Sequence, residues 1–330
     1  ERAMSEATEM NPAPESFAGS TASRAAKLFF HATRPKVYPA SVLPVRAGSA
    51  VGFAVAGSFE WGGFLRARGA TVCVHAGCNV QNDVGDDDIG TDPANTDRIY
   101  PYTGGSRFIQ TGILSNATMT RLGAGLMVAA MLIGAVLIAA KGIMILWFGL
   151  AGILFAVLYS RGPFRLSSSG FGELSIGSAC GVIPVTGAAW LQSGGLVRTV
   201  VGFALPIAVW VTAILLINEV PDIAADASSG KRTLPVRFGL NATSAVYFCL
   251  HLGGALTVAF LAWKGELPVL APVVPVLLLI LAAKAAAAIR TGIADRPAMT
   301  GAIEATLGIH TIGSLWLLGC ALYLGLFGAA

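Results

Sequence analysis

The stretch RTVVGFALPIAVWVTAILLINEVPDIAADASSGKR, residues 198–232, contains the pattern on which the fold prediction rests. Its mainly apolar part, 198–218, has the length of roughly 20 residues that an α-helix needs to cross a bilayer. The acidic residues Glu219, Asp222 and Asp226 follow directly, and a Lys-Arg pair ends the stretch. The chain therefore places a charged cluster at the end of a predicted membrane-spanning helix.

The composition shows that such apolar runs dominate the chain. Of its 330 residues, 55% are hydrophobic and 12% are charged, whereas soluble globular domains carry about 25% charged residues. We predict an all-α, polytopic membrane protein with about nine spans. The predicted spans are 37–57, 61–82, 118–140, 142–160, 172–193, 198–218, 241–263, 267–289 and 303–328.

The first residues are polar and small, in contrast to the rest of the chain. We expect residues 1–33 to be a flexible cytoplasmic tail, with an amphipathic helix over 22–34 at the membrane surface. Residues 34–330 are expected to form a single intramembrane domain.

The distribution of Lys and Arg indicates the orientation. Most basic residues of the predicted loops fall on the side of the N-terminus, which the positive-inside rule places in the cytoplasm. The two longer acidic loops, 79–117 and 218–240, lie on that same side. The net charge of +4 is modest, and its distribution does not support nucleic-acid binding. We expect an integral protein of a prokaryotic cytoplasmic membrane.

Two groups of Asn and Asp have helical spacing at the cytoplasmic ends of spans. Residues three or four apart share one face of a helix. Oxygen ligands suit Mg²⁺, which takes one or two carboxylates and completes its shell with substrate phosphates. The pattern predicts a magnesium site for a diphosphate, and a solvated acidic loop is the alternative. The pattern occurs twice on the predicted cytoplasmic side, which favours the magnesium site over a solvated loop. The predicted metal ligands are Asn79, Asn82, Asp83 and Asp86 in the first acidic cluster, and Asn218, Asp222 and Asp226 in the second.

Basic residues near both clusters are candidates for binding the phosphates. Lys231 and Arg232 follow the second cluster, and Arg34 and Arg98 flank the first. The alternative is that the positive-inside rule alone accounts for their positions.

Tyr159 and Ser160 end the fourth predicted span on the same side. The tyrosine is either an interfacial anchor or a π-system beside a developing cation. The residues alone leave both alternatives open.

These motifs, in this order, resemble the UbiA superfamily of intramembrane prenyltransferases. The segment from Gly230 to Gly239 most resembles its 1,4-dihydroxy-2-naphthoate polyprenyltransferase branch. One departure is Gly90, where many members have an Asp; Asp92 lies nearby. The matching segments are Arg34-Pro-Lys-Val-Tyr-Pro39, Asn79-x-x-Asn82-Asp83-x-x-Asp86, Thr103-Gly-Gly-Ser-Arg107, Tyr159-Ser160-x-x-Pro163-x-Arg165, Gly170-x-Gly-Glu173 and Asn218-x-x-x-Asp222-x-x-x-Asp226-x-x-x-Gly230-Lys231-Arg232.

The resemblance implies a fold and a reaction. Nine helices would surround a central cavity with a cytoplasmic cap formed by the two long loops. Mg²⁺ would bind a polyprenyl diphosphate, whose ionisation gives an allylic carbocation that an aromatic acceptor attacks. In the naphthoate branch, which belongs to menaquinone biosynthesis, the acceptor also loses its carboxylate.

The resemblance also assigns expected roles to residues. The catalytic residues would be Asp83, Asp86, Asp222, Asp226, Tyr159 and Ser160, the last two near the reacting carbons. The residues near the phosphates or the acceptor carboxylate would be Arg34, Arg165, Lys231 and Arg232.

Two alternative functions are compatible with parts of this pattern. The same fold could prenylate a hydroxybenzoate, homogentisate, a chlorin or a lipid alcohol, because the motifs do not encode the shape of the acceptor cavity. A different class is an ion-coupled secondary transporter, which usually has its ionisable residues near the middle of the membrane. Here the acids lie at helix ends on one side, which argues against transport.

Overall fold

A computed structural model of the chain describes Phe17 and residues 20–160, 164–195 and 198–328. All regular structure in this part of the chain is helical, which confirms the all-α prediction. The helices are α1 Thr21–Thr33, α2 Pro39–Ala56, α3 Trp61–Asp88, α4 Asn116–Lys141, α5 Met144–Ser160, α6 Gly172–Ser193, α7 Arg198–Asn218, α8 Ile223–Ser228, α9 Leu234–Trp263, α10 Val273–Thr291 and α11 Arg296–Phe327.

Six helical stretches of the described residues are long and apolar enough to cross a membrane. One of them, Val273–Phe327, contains both α10 and α11. The apolar helix α5 is shorter, and α3 carries Arg66, Arg68 and the first acidic cluster. The polytopic membrane fold is thus confirmed, and the count of nine spans stays a prediction.

The ends of several helices differ from their predicted limits. The helix α3 continues six residues beyond 82, so the first acidic cluster lies on a helix. Both α9 and α11 begin seven residues early, each with a proline in its first turn, where the missing N–H costs no hydrogen bond. The left-handed backbone of Gly239 (φ 73°) interrupts α9 near the predicted start.

The predicted N-terminal tail is described only in part. Residues 1–16, 18 and 19 lie outside the described residues. The remainder forms α1, which begins at the N-cap Ser20, whose hydroxyl accepts from the backbone N–H of Ser23. This helix matches the one predicted over 22–34, and its place on the membrane surface stays a prediction.

The long helices form a closed ring in which neighbours in the sequence are neighbours in space. From α2 to α7, and then through α9, α10 and α11, each helix packs on the next, and α11 returns to α2. The largest core of buried apolar residues fills the part between α7, α9, α10 and α11. The part between α2, α3, α5, α6 and α7 instead encloses a cavity.

Glycines allow α2 to lie directly against α6. A Cβ atom on Gly52 would stand 2.5 Å from the carbonyl oxygen of Ala189, and Gly48 lies equally tightly against the backbone of Val185. Real Cβ atoms do not approach backbone so closely, so these helices are in contact through their main chains.

We expect the Gly52→Val substitution to separate α2 from α6. Overpacking usually costs 1–3 kcal/mol, and here the obstacle is backbone, so a loss of about 3 kcal/mol or more is expected. The midpoint of thermal unfolding in detergent measures this loss. Gly134→Val in α4 is the matched control because a Cβ there meets nothing within 4 Å. Equal midpoints for the two variants would contradict the close packing.

Candidate functional site

The cavity has a volume of about 230 Å³ and one polar and one apolar part. Its polar part is formed by the ends of α3 and α7 and by the loops that follow them. Its apolar part is formed by side chains of α5, α6 and α7, among them Phe155, Ile176, Ala179, Val211 and Ile214. A space with these two parts suits a ligand that has a charged head and a hydrocarbon chain.

The first acidic cluster lies on the last turns of α3. Asn79, Asn82 and Asp86 line the cavity, and the Asn82 amide donates to Asp86 Oδ2 over 3.2 Å. Asp83 is buried beside them, where its Oδ2 accepts from the backbone N–H of Ser106 at 3.0 Å. The predicted shared face is therefore present.

Arg34 is held at the edge of the cavity by contacts on both sides. Its backbone is left-handed (φ 52°) and follows the end of α1. Its Nη2 lies 3.3 Å from Asp83 Oδ1 and donates to the Asn79 carbonyl oxygen over 3.2 Å. The Asn79 amide in turn donates to the Thr33 carbonyl oxygen over 3.0 Å. This ion pair and these hydrogen bonds connect the turn before α2 to the first acidic cluster.

The second cluster begins where α7 ends. Asn218, Asp222 and Asp226 line the same cavity as the first cluster. The Asn95 amide, from the loop after α3, donates to Asp222 Oδ1 over 2.7 Å. The structure thus brings the two clusters together around one cavity. The two long loops contact each other beside this cavity.

Lys231 lies between the two clusters. Its Nζ is 2.6 Å from Asp86 Oδ1 and 3.4 Å from Asp226 Oδ1. Burial opposes the charge on Lys231, but the two carboxylates outweigh it and raise the pKa of the ammonium group. Burial raises the pKa of Asp226 to about 7, although Lys231 acts in the opposite direction. The buried Lys231 therefore bridges α3, through Asp86, and α8, through Asp226.

Asp92 belongs to the site although it was not among the predicted site residues. It lines the cavity and is 3% exposed. A Cβ on Gly105 would lie 2.8 Å from Asp92 Oδ2 and 2.9 Å from Asp83 Oδ1, so the two carboxylates flank one glycine. Burial raises the pKa of Asp92 well above its usual value, and Asp83 and Asp86 add to the effect. Its position two residues after Gly90 was the available signal.

Glu173 and Glu219 form a second group that the spacing of the motifs did not reveal. Glu219 follows Asn218 and lines the cavity, and Glu173 lies in the first turn of α6. Both side chains are buried, and Glu219 Oε1 lies beside Gly172, the residue before Glu173. Burial raises the pKa of Glu219 well above its usual value, and Glu173 adds to this shift. In the sequence, Glu173 was part of the matching segment Gly170-x-Gly-Glu173, but no role was predicted for it.

Tyr159 and Ser160 occupy the end of α5. Tyr159 is buried and lines the cavity, which favours the π-system alternative over an interfacial anchor. Ser160 is buried against Gly85 of α3. Its hydroxyl has no hydrogen-bond partner among the described residues.

Three predicted phosphate-binding arginines are not in the wall of the cavity. Arg98 is 4% exposed, and its Nη1 donates to the carbonyl oxygens of Gly104 and Gly105, which do line it. Arg165 and Arg232 are exposed and lie outside the lining. Arg98 thus supports the loop, and the roles of Arg165 and Arg232 stay predictions.

The donor atoms of the site fit a hard cation. Within the described ranges, no three His, Cys, Asp or Glu side chains form a metal-binding group by themselves. However, Asp92 Oδ2 and Asn218 Oδ1 are buried and accept no hydrogen bond from any described residue, and the buried Asp83 Oδ1 is ion-paired with Arg34 at 3.3 Å. A set of few carboxylates and amide oxygens suits Mg²⁺, whose shell is completed by phosphate oxygens.

Known proteins show the same sequence pattern and fold. The model of the UbiA prenyltransferase family matches residues 41–301. A 1,4-dihydroxy-2-naphthoate octaprenyltransferase of Haemophilus influenzae is 31% identical over 237 residues, which are 69% of this chain and 74% of that protein. One from Mycobacterium tuberculosis is 31% identical over 231 residues, 68% of this chain and 74% of that protein. The structure of a UbiA homolog from Archaeoglobus fulgidus bound to DMAPP and Mg²⁺ has a TM-score of 0.62 at 16% identity, with coverage of 88% of this chain and 98% of that chain.

Proposed function

The chain belongs to the UbiA prenyltransferase family, and on this basis we propose that it transfers a polyprenyl group to 1,4-dihydroxy-2-naphthoate. The donor is a polyprenyl diphosphate. One observation carries the proposal: two Asn/Asp clusters meet around Lys231 at the polar end of a cavity whose other end is apolar. This arrangement suits a diphosphate whose hydrocarbon chain extends toward the bilayer.

The polar end of the cavity binds the diphosphate. Bound Mg²⁺ would neutralise the negative charge of the diphosphate and make it a better leaving group. Lys231 and Arg34 add positive charge at the same end. The expected metal ligands are Asn79, Asn82, Asp83, Asp86, Asn218, Asp222 and Asp226, and the position of Asp92 adds it to the set.

We assign Tyr159 to the position beside the carbon from which the diphosphate leaves, because it is buried and lines the cavity. An aromatic ring attracts a cation over its face, and the surrounding apolar side chains of α5 and α6 exclude water. The allylic carbocation therefore meets the aromatic acceptor before it meets water.

The identity of the acceptor rests on the relatives. Two 1,4-dihydroxy-2-naphthoate octaprenyltransferases share 31% identity with more than two thirds of this chain. We assign the same acceptor here, and with it a place in menaquinone biosynthesis. We further assign the N-terminus and both acidic loops to the cytoplasmic side of a prokaryotic membrane, because most loop Lys and Arg residues lie there.

Purified protein with geranylgeranyl diphosphate, 1,4-dihydroxy-2-naphthoate and Mg²⁺ should form a prenylated naphthoquinol. Mass spectrometry detects the product, and EDTA should abolish it. Release of diphosphate without this product would keep the prenyltransferase and overturn the acceptor. A hydroxybenzoate, homogentisate, a chlorin and a lipid alcohol would then be tested. Product formation that EDTA does not affect would overturn the metal proposal.

A further inference from the structure

Glu173 and Glu219 are not needed for the proposed binding of the diphosphate. Glu219 is 8% exposed and Glu173 is 6% exposed, yet each has one carboxyl oxygen without a hydrogen-bond partner among the described residues. Those atoms are Oε1 of Glu173 and Oε2 of Glu219. Leaving a buried acceptor unpaired costs free energy, so such an atom calls for a partner that the chain itself does not provide.

The position of Glu219 shows where that partner would lie. It is in the wall of the cavity, one residue after Asn218 and near Tyr159. The apolar residues Leu215 and Ile214, which precede Glu219 on α7, also line the cavity. Glu219 is therefore at the boundary between the polar and apolar parts, where the donor carbon and the acceptor ring must meet.

We infer that Glu219 accepts a hydrogen bond from a ring hydroxyl of the aromatic acceptor, and that Glu173 positions Glu219 for this contact. This inference rests on the proposed function. Charge determines which side of the acceptor faces the pair: its carboxylate is attracted by Lys231 and Arg34, and the acidic pair offers it no positive charge. A hydroxyl, which donates hydrogen bonds, is compatible with the glutamates. The acceptor is thereby oriented by its two kinds of substituent.

The test measures discrimination between acceptors in equilibrium binding. The full-length protein is saturated with Mg²⁺ and geranylgeranyl thiolodiphosphate, which does not ionise readily. Dissociation constants are then determined for 1,4-dihydroxy-2-naphthoate and for the two analogues that lack one hydroxyl each. Wild-type protein should bind the dihydroxy compound at least about tenfold more tightly than one of the analogues, because that analogue leaves the buried Glu219 oxygen without a hydrogen bond.

The variants separate contact from positioning. Glu219→Met should bind that analogue and the dihydroxy compound equally. Glu173→Met should lose part of the discrimination, and Glu173→Gln, whose amide can donate a hydrogen bond to Glu219, should retain it. Glu266→Met, the same change in the loop between α9 and α10, is the matched control and should behave as wild type. Unchanged binding of the thiolodiphosphate shows that each variant is folded.

The outcomes distinguish this inference from the proposed function. Wild-type discrimination in Glu219→Met would overturn the inference while the prenylated naphthoquinol still formed. Absence of that product from wild-type protein would overturn the proposed acceptor instead. Where Glu219→Met is not recovered folded, Glu219→Gln replaces it, because an amide oxygen is a weaker acceptor than a carboxylate. Full discrimination in Glu219→Gln would then overturn the inference.

Discussion

The Asp86→Ala variant is expected to lose prenyl transfer, with kcat/KM reduced by about 10²–10³-fold or more. The change removes a proposed metal ligand and the carboxylate nearest to Lys231, at 2.6 Å. Mg²⁺ would then be held less firmly, and the negative charge that develops on the leaving diphosphate would be neutralised less well. The product assay with saturating Mg²⁺ measures the loss. The protein should remain folded, because Asp86 lies at the cavity surface and not in the apolar core.

The neighbouring residue provides a matched control on the same helix. Asp87 is turned away from the cavity, and its carboxylate accepts from the side-chain amides of Gln110 at 3.0 Å and Asn116 at 3.1 Å. Asp87→Ala should therefore retain most of the activity and lose some stability. Similar rates for Asp86→Ala and wild type would contradict the metal–diphosphate site, and so would an equal loss in both variants.

The Lys231→Met variant is expected to become strongly dependent on Mg²⁺ for its stability. Without Lys231 the partly buried carboxylate of Asp86 and the buried carboxylate of Asp226 face each other with no Lys231 cation between them. Breaking a buried ion pair by removing one partner typically costs about 3–5 kcal/mol. A divalent cation bound by the same carboxylates would offset this cost. In EDTA the midpoint of thermal unfolding should fall well below that of wild type, and excess Mg²⁺ should restore most of the difference.

Arg232→Met serves as the control for stability, since it removes an adjacent positive charge that is exposed. Its midpoint should differ little from wild type with or without Mg²⁺. If Mg²⁺ did not stabilise Lys231→Met more than wild type, the cation would not bind at the position that Lys231 bridges. That result would separate Lys231 from the metal site.

The fold was predictable from the sequence because its main signal is a series of long runs of apolar residues. Runs such as 118–140 and 198–218 coincide with α4 and α7 within two residues, since a bilayer requires one particular length of apolar helix. The early starts of α9 and α11 were missed for a local reason. Each first turn contains an arginine and a proline, Arg237 and Pro235 in α9 and Arg296 and Pro297 in α11, so the hydropathy pattern places the start of the helix later.

The candidate site was predictable where spacing carries the information. Asn79, Asn82 and Asp86 recur at helical intervals, and the structure places all three in one wall. Asp92 lies in the short helix Thr91–Ala94 and Asn95 caps it, and the path of this segment depends on long-range contacts such as that between Asn95 and Asp222. Such contacts have no periodic signature, and the residues that make them emerge only from the folded chain.

The contact between α2 and α11 has a consequence for how the protein is made. A Cβ on Gly325 of α11 would lie 2.7 Å from the ring of Phe53 in α2, so these helices are tightly apposed. Synthesis proceeds from the N-terminus, and α2 therefore enters the membrane long before its neighbour exists. The ring cannot close on a nascent chain that lacks α11. Full closure around the carboxylates therefore waits for α11, and a chain interrupted before 296 leaves the side of α2 that α11 covers open to lipid.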